Sequence, residues 1–205
     1  CVAPNRVFVA ENVKAKFTEK VVSRAKAALV GFDKNKDITT GPVIDKRAFE
    51  KIKGLIKDAV MNGAKLLVGG NRPKYLKKGY YISPTVLCDV TEEMQVYQQE
   101  TFGPIVSLIS FSEETNLLNM ANDCDEGGLT AYIFTTNQSR AEFYASKLRY
   151  GEIQINGVKY DIDLPHGGIG QSGIGHDCSS LALQDYLIQK RITCSNNTYE
   201  LGKAI

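Results

Sequence analysis

Ile105-Val106-Ser107-Leu108-Ile109-Ser110-Phe111, with Glu113 to Asn122 behind it, decides the fold. The first seven residues are apolar almost without a break, too few for a helix and too even for a strand with one wet face. They predict a strand buried on both sides, as in a parallel sheet covered by helices. The next ten place Leu117, Leu118 and Ala121 on one helical stripe. The same alternation of periods extends in both directions. Upstream, Arg6 to Ala10 reads as a short strand and Asn12 as the cap of a helix whose inner face is Val13, Phe17, Val21, Ala25 and Ala28. A second helix is predicted from Asp45 to Asn62, with Ala48, Ile52, Leu55, Ile56 and Ala59 inward and Gly63 as its stop. Ala64 to Val68 is a strand, and Tyr80 to Val90, broken by Pro84, is expected at an edge or as an irregular strand. Downstream come a strand (Thr130 to Thr135), a helix (Asn137 to Leu148) and a strand (Glu152 to Asn156). Strand and helix in turn require crossovers, hence an α/β fold with a mainly parallel open sheet.

The C-terminal region departs from this rhythm. Ser179 caps a short helix through Leu187, and Ile188 to Cys194 then alternates apolar and polar residues like a lone amphipathic strand, which must pair with its own chain or a partner subunit. The 205 residues are 43% hydrophobic, and 25 Lys and Arg balance 23 Asp and Glu to a net charge of +2. So even a balance gives no electrostatic footprint for nucleic acid or an anionic membrane surface. No apolar run reaches the roughly 20 residues of a membrane span, and the N-terminus has no signal-peptide layout. A cytoplasmic protein is expected. Five scattered cysteines without a C-x-x-C pair argue against a disulfide framework and a structural zinc site. No metal is predicted.

Gly168-Ile169-Gly170-Gln171-Ser172-Gly173 matches G-x-G-x-x-G in letters. A dinucleotide fingerprint also needs a strand before it, a helix after it and an acid about 20 residues on. Leu164-Pro165-His166-Gly167 precedes it, no helix opens on Gly173, and position 193 is threonine. It reads instead as a tight loop where backbone passes close to backbone or ligand. The plain reading of Cys1 is an inert small apolar side chain. That of Glu100 is a solvated loop acid, and that of Phe102 a core residue, although a loop at the rim of a parallel sheet can also turn a carboxylate and a ring toward a ligand.

Taken together, the motifs carry more. Cys1-Val2-Ala3-Pro4-Asn5-Arg6, Gly41-Pro42-Val43-Ile44, Gly63-Ala64-Lys65 with Gly69-Gly70, Gly79 to Leu87, Glu100-Thr101-Phe102-Gly103-Pro104, Ala121-Asn122-Asp123 before Gly128-Leu129-Thr130-Ala131, Ile155-Asn156, and Gly167-Gly168 with Gln171 to Gly175 succeed one another in the order of the aldehyde dehydrogenase superfamily. The chain resembles the C-terminal part of such an enzyme, starting at its catalytic cysteine. The resemblance implies a catalytic domain over residues 1–178 and a terminal helix, oligomerisation strand and tail over 179–205, with the cofactor-binding domain, general-base glutamate and oxyanion asparagine upstream. It implies that Cys1 is the nucleophile, whose backbone amide is half of the oxyanion site. Glu100 corresponds to the carboxylate that holds the nicotinamide ribose of NAD or NADP, and Phe102 to the aromatic beside it. By itself the segment is expected to be inactive.

The loop Gly157 to His166 falls where the family lines its substrate entrance. Members acting on apolar aldehydes commonly carry Phe at the position of His166, and the chain also resembles the lactaldehyde, glycolaldehyde and glyceraldehyde dehydrogenases. The expected substrate is a small hydroxyaldehyde, with His166 on its hydroxyl and Tyr160 and Val2 shaping the pocket. The plain alternative is that His166 caps a loop carbonyl. His176 is read as a surface residue. Competing functions are a succinate-semialdehyde enzyme, for which Lys159 is the only loop base, a catalytically silent structural piece, and a cofactor-free hydrolase using Cys1. Self-association to a homodimer or homotetramer through Ile188 to Cys194 completes the expectations.

Overall fold

The computed structural model describes residues 1–33, 37–112, 114–123 and 127–194. The predicted buried run is strand β4 (Ile105–Phe111), flanked in parallel by β1 (Arg6–Ala10) and β3 (Thr85–Cys88). β2 (Lys65–Val68) closes the other edge antiparallel to β3, so the order is β1-β4-β3-β2. Side-chain alternation sends the two faces of this sheet to separate cores. Leu87, Ile105 and Ile109 join Phe49, Ile52, Ile56 and Ala59 of helix α2 (Lys46–Met61) and Val96 and Tyr97 of α3 (Gln95–Gln98) on one side. Val9, Val86, Cys88 and Leu108 meet Val21, Val22 and Ala25 of α1 (Glu11–Ala27) on the other. Helices on both faces are why β4 has no polar stripe.

The remaining elements form a second, two-stranded parallel sheet. After α4 (Glu114–Asn122) come β5 (Thr130–Ile133), α5 (Gln138–Lys147) and β6 (Glu152–Ile155), with Tyr132 opposite Gln154 and Thr130 opposite Glu152. The strands are thus split between two sheets. α2 and α5 start within a residue of their expected bounds, where Asp45 Oδ1 accepts from Ala48 N at 2.7 Å and Asn137 Oδ1 from Arg140 N at 2.9 Å as N-caps.

Three expectations change and a fourth narrows. β3 lies inside the sheet with all four residues buried, because Pro84 precedes its first residue and so withholds no ladder N–H; Thr85 N is the first donor, to Pro104 O at 2.8 Å. α1 follows β1 without a loop, so Asn12 falls inside its first turn, Ala10 is the cap residue, and Val13 and Phe17 are exposed. The segment after Ser179, whose Oγ does accept from Leu181 N at 3.2 Å, is 3₁₀-helical over Ser180–Tyr186. Of the two pairings open to Ile188 to Cys194, the one within the chain is not seen among the described residues, and Ile188 and Ile192 are 98% and 79% exposed. Among the described residues Cys1, Cys88, Cys178 and Cys194 are free thiols, and no helix is long and apolar enough to cross a membrane.

α1 buries no residue fully, and beside the half-buried Val21, Val22 and Ala25 its start is fastened to the sheet by charge. Asp89, in the left-handed region at φ 58°, accepts from Lys14 of α1 at 2.6 Å and lies 2.9 Å from Lys65 of β2. Hydrogen bonds from Lys14 and then Lys65 pull its carboxyl down to about 2 from 3.8. A depressed carboxyl contributes stability above its unfolded value and loses it as pH falls through the folded one. Asp89→Asn, which keeps the left-handed preference, is expected to cost about 1 kcal/mol at neutral pH, allowing for solvent screening at exposed Lys65. In urea melts the gap between native and variant should be full above about pH 4 and close toward pH 2.

Candidate active site

The segment before β1 and the segment before β4 share one rim, because the two strands run parallel with Arg6 opposite Ser107. Asn5 Oδ1 accepts from Thr101 N at 3.2 Å and ties the Cys1 segment to the loop of Glu100 and Phe102. That loop is also held from α2. Lys51 Nζ donates to the Glu100 carbonyl at 2.7 Å, and Gly103 lies so close to Ile52 that a Cβ would come within 2.4 Å of its Cδ1. Fixed on three sides, the loop presents its side chains outward: Cys1 and Glu100 are exposed, and Phe102 is 71% exposed at φ 48°. An aromatic residue at positive φ that buries little of its ring is strained in both backbone and solvation, a combination expected where a ligand meets it. Phe102 is therefore not a core residue.

A second constellation lies on β6. A cleft of about 390 Å³ is lined by residues of β6 and of the loop behind it, including Glu152, Gln154, Lys159, Tyr160, Asp161 and His166. His166 Nδ1 hydrogen-bonds Glu152 Oε1, and Thr130 Oγ1 donates to the other carboxylate oxygen at 3.0 Å. His166 thus caps no carbonyl with its ring; its backbone is laddered to Asp177 at 2.8 and 2.7 Å. Tyr160 packs edge-on to His166 with centroids 6.0 Å apart, and its hydroxyl lies 3.2 Å from Cys178 Sγ. Lys159 Nζ sits 2.6 Å from Asp161 Oδ2, which raises the amine and lowers the carboxyl. His176 lies on the return strand beside Asp177, its ring edge against Gly167.

The rim and the cleft are joined through Tyr132 of β5, whose hydroxyl donates to the Val2 carbonyl at 2.8 Å. Burial, then the charge of Glu152, push its phenol up. The cleft lining excludes Cys1, Val2, Glu100 and Phe102, so Val2 takes part through its carbonyl while its side chain is 41% exposed. Asn5, Tyr132 and Glu152 had no assigned role in the sequence reading. The alternation Glu152-Ile153-Gln154-Ile155 does carry a signal for Glu152, since it puts two polar residues on one strand face.

The G-x-G-x-x-G segment folds as a 3₁₀ turn, Gly170–Ser172, with no helix after it. Its neighbourhood is a site of backbone contact: Gly128 O accepts from Ile169 N at 3.0 Å and from Gly151 N at 2.9 Å. A Cβ on Gly151 would come within 1.8 Å of Gly167 O.

The element order and the mainly parallel sheet are those of the aldehyde dehydrogenase fold. Residues 1–192 match the model of the aldehyde dehydrogenase family, and the chain belongs to that family. It is 34% identical over 194 residues to the chloroplastic betaine aldehyde dehydrogenase of Atriplex hortensis, covering 94% of this chain and 38% of the relative. It is 38% identical over 193 residues to the NADP(+) succinate-semialdehyde dehydrogenase 2 of Schizosaccharomyces pombe, covering 94% and 39%. Among solved structures it matches betaine aldehyde dehydrogenase from Staphylococcus aureus in complex with NAD+ at TM-score 0.87 and 34% identity, over 100% of this chain and 41% of that one. Succinate-semialdehyde dehydrogenase from Burkholderia pseudomallei matches at 0.86 and 37%, over 91% and 38%. The chain spans about two fifths of the length of the relatives it matches.

Because Gly167 adjoins His166, the Gly151 contact is a stability element that also seats the cleft. Gly151→Ala should destabilise the protein by about 1–3 kcal/mol in chemical denaturation. Gly157→Ala, whose new Cβ would have only Ile155 O at 4.0 Å, should be neutral or more stable by up to about 1 kcal/mol.

Proposed function

We propose that the protein containing this chain oxidises a small hydroxyaldehyde to its acid with NAD or NADP, using Cys1 as nucleophile. The observation that carries this reading is the Asn5–Thr101 hydrogen bond, which sets the Cys1 segment beside the loop of Glu100 and Phe102. Cys1 Sγ, as thiolate, forms a bond to the aldehyde carbon, and the carbonyl electron pair moves to oxygen as a thiohemiacetal forms. Its collapse to the thioester expels hydride, and water attacking the thioester carbon releases the acid and returns the thiol. Phe102 offers a ring face, and Glu100 a carboxylate on the same rim, to the nicotinamide ribose; both fit that role by their exposure at a braced loop. The cofactor, when bound there, supplies the acceptor for the hydride.

Tail selection belongs to the cleft. His166 there is hydrogen-bonded through Nδ1 to an acceptor-only carboxylate, so Nδ1 carries a proton and Nε2 is the ring's remaining polar atom. A substrate hydroxyl, donor and acceptor both, can pair with it, and Tyr160 closes the same wall. A dicarboxylic semialdehyde fits less well. It needs a free cation, and the one basic residue lining the cleft, Lys159, is already paired with Asp161.

We further infer that 188–194 pairs with a second copy, which would cover Ile188 and Ile192. Replacing both by serine should lower the association state in sedimentation, and an unchanged state would dismiss the segment as the contact.

Two measurements on the intact protein test the catalytic reading. Cys1→Ala should reduce aldehyde-dependent formation of reduced nicotinamide by at least about 10³-fold; retained turnover would place the nucleophile elsewhere. In His166→Phe the preference for glyceraldehyde or lactaldehyde over propanal should fall about tenfold in kcat/KM. A preserved preference sinks the hydroxyl contact.

A further inference from the structure

We propose that Glu152 is the selectivity residue of the cleft: it orients His166 toward a hydroxyl-bearing tail and turns away aldehydes that carry a carboxylate. The proposal rests on the reading that this cleft receives the tail of the aldehyde.

Glu152 opens β6, and both of its oxygens are engaged, Oε1 by His166 Nδ1 and Oε2 by Thr130 Oγ1 at 3.0 Å from the neighbouring strand. Its side chain is 18% exposed and that of His166 is 22% exposed. Two groups held in this way keep one geometry. The carboxylate accepts, so Nδ1 carries a proton and Nε2 is left as the ring's remaining polar atom. A hydroxyl, donor and acceptor both, can meet that atom.

The charge of the wall acts in the same direction. The carboxylates and the lysine lining the cleft are Glu152, Asp161 and Lys159. Lys159 and Asp161 pair with each other at 2.6 Å. That leaves the Glu152 carboxylate toward the tail with no unpaired lysine or arginine in the lining to offset it, so an anionic tail is disfavoured and a neutral polar one is not. The field of Glu152 reaches as far as Tyr132, which holds the Val2 carbonyl next to Cys1. The other titratable groups on the loop and return strand are Tyr160, Asp163, His176, Asp177 and Cys178, none of them a lysine or arginine. Glu152 touches neither the reacting carbon nor the rim residues in this arrangement, so it is a positioning residue and not a catalytic one.

The test compares glyceraldehyde with succinate semialdehyde in the intact enzyme. In Glu152→Gln, kcat/KM for glyceraldehyde should fall about tenfold, chiefly through KM, while that for succinate semialdehyde holds or rises, so that their ratio moves at least about tenfold toward the anion. Glu152→Asp keeps the charge but shortens the reach to His166. It should lose glyceraldehyde affinity while still rejecting succinate semialdehyde. Thr130→Val frees one carboxylate oxygen without changing charge and keeps the comparison available if Glu152→Gln folds poorly; it should weaken glyceraldehyde binding alone. A ratio within twofold of the native value in Glu152→Gln, or equal losses for both aldehydes in all three variants, overturns the proposal. If Cys1→Ala is inactive and the ratio is nevertheless unmoved, this inference fails and the catalytic reading stands; if Cys1→Ala remains active, the catalytic reading itself fails.

Discussion

The guanidinium of Arg6 is the interaction on which the rest of the arrangement depends. Five residues after Cys1, it donates to Met120 O and Asp123 O at 2.9 Å through Nη1, and to Ala121 O at 2.9 Å and Tyr150 Oη at 3.0 Å through Nη2. Its plane lies 5.0 Å from the Tyr97 ring centre and 5.5 Å from that of Phe8. A cation at the C-terminal end of α4 satisfies carbonyls that have no partner inside the helix and opposes the negative end of its dipole. Asn122 extends the joint, donating to Lys147 O at 3.0 Å and accepting from Arg149 N at 2.8 Å. One side chain therefore fastens the start of β1 in the large sheet to the helix that leads to β5 and to the turn that leads to β6. Lysine in its place has neither the fork nor the planar face.

With the sheets joined, glycines set how closely the second layer of loops can approach. Gly151, Gly128 and the Gly167–Gly168 pair let three backbone segments touch, and His166 is carried into the cleft on one of them. The room that their side chains would take is occupied by neighbouring backbone. The same logic holds at Gly103, where Ile52 of α2 occupies the space and thereby sets the height of the Phe102 loop. Local motifs that read as turns are thus steric requirements imposed by residues up to fifty positions away.

What the sequence made legible divides along that line. β4, α2 and α5 were readable because their signals are local, an unbroken apolar run and helical stretches bounded at Asp45 and Asn137, which the structure shows to be the capping residues. The failure of the G-x-G-x-x-G match was readable as well, since strand and helix were missing beside it. The interior position of β3 was not, because Pro84 is penalised only if its own N–H is needed, and that depends on where pairing begins. Nor was the pairing partner of 188–194, since alternation states a capacity to pair and says nothing of where the partner lies. In the site, the rim residues carried recognisable motifs, whereas Glu152 and His166 are 14 positions apart and meet only because β6 and its following loop fold back on each other.

The consequence is a division of labour between the sheets. Cys1, Glu100 and Phe102 stand on the rim of the four-stranded sheet, where the parallel register of β1 and β4 fixes their spacing, so change there is constrained from three sides by Asn5, Lys51 and Ile52. The cleft hangs on a two-stranded sheet tied to the large sheet by the Arg6 joint, the Tyr97–Met120 hydrogen bond and the Tyr132–Val2 hydrogen bond. None of these ties passes through His166, Tyr160 or Lys159, so those residues can change without displacing the ties. A fold built this way can keep one chemistry on a rigid rim while the tail it accepts is set by a few side chains on β6 and its loop.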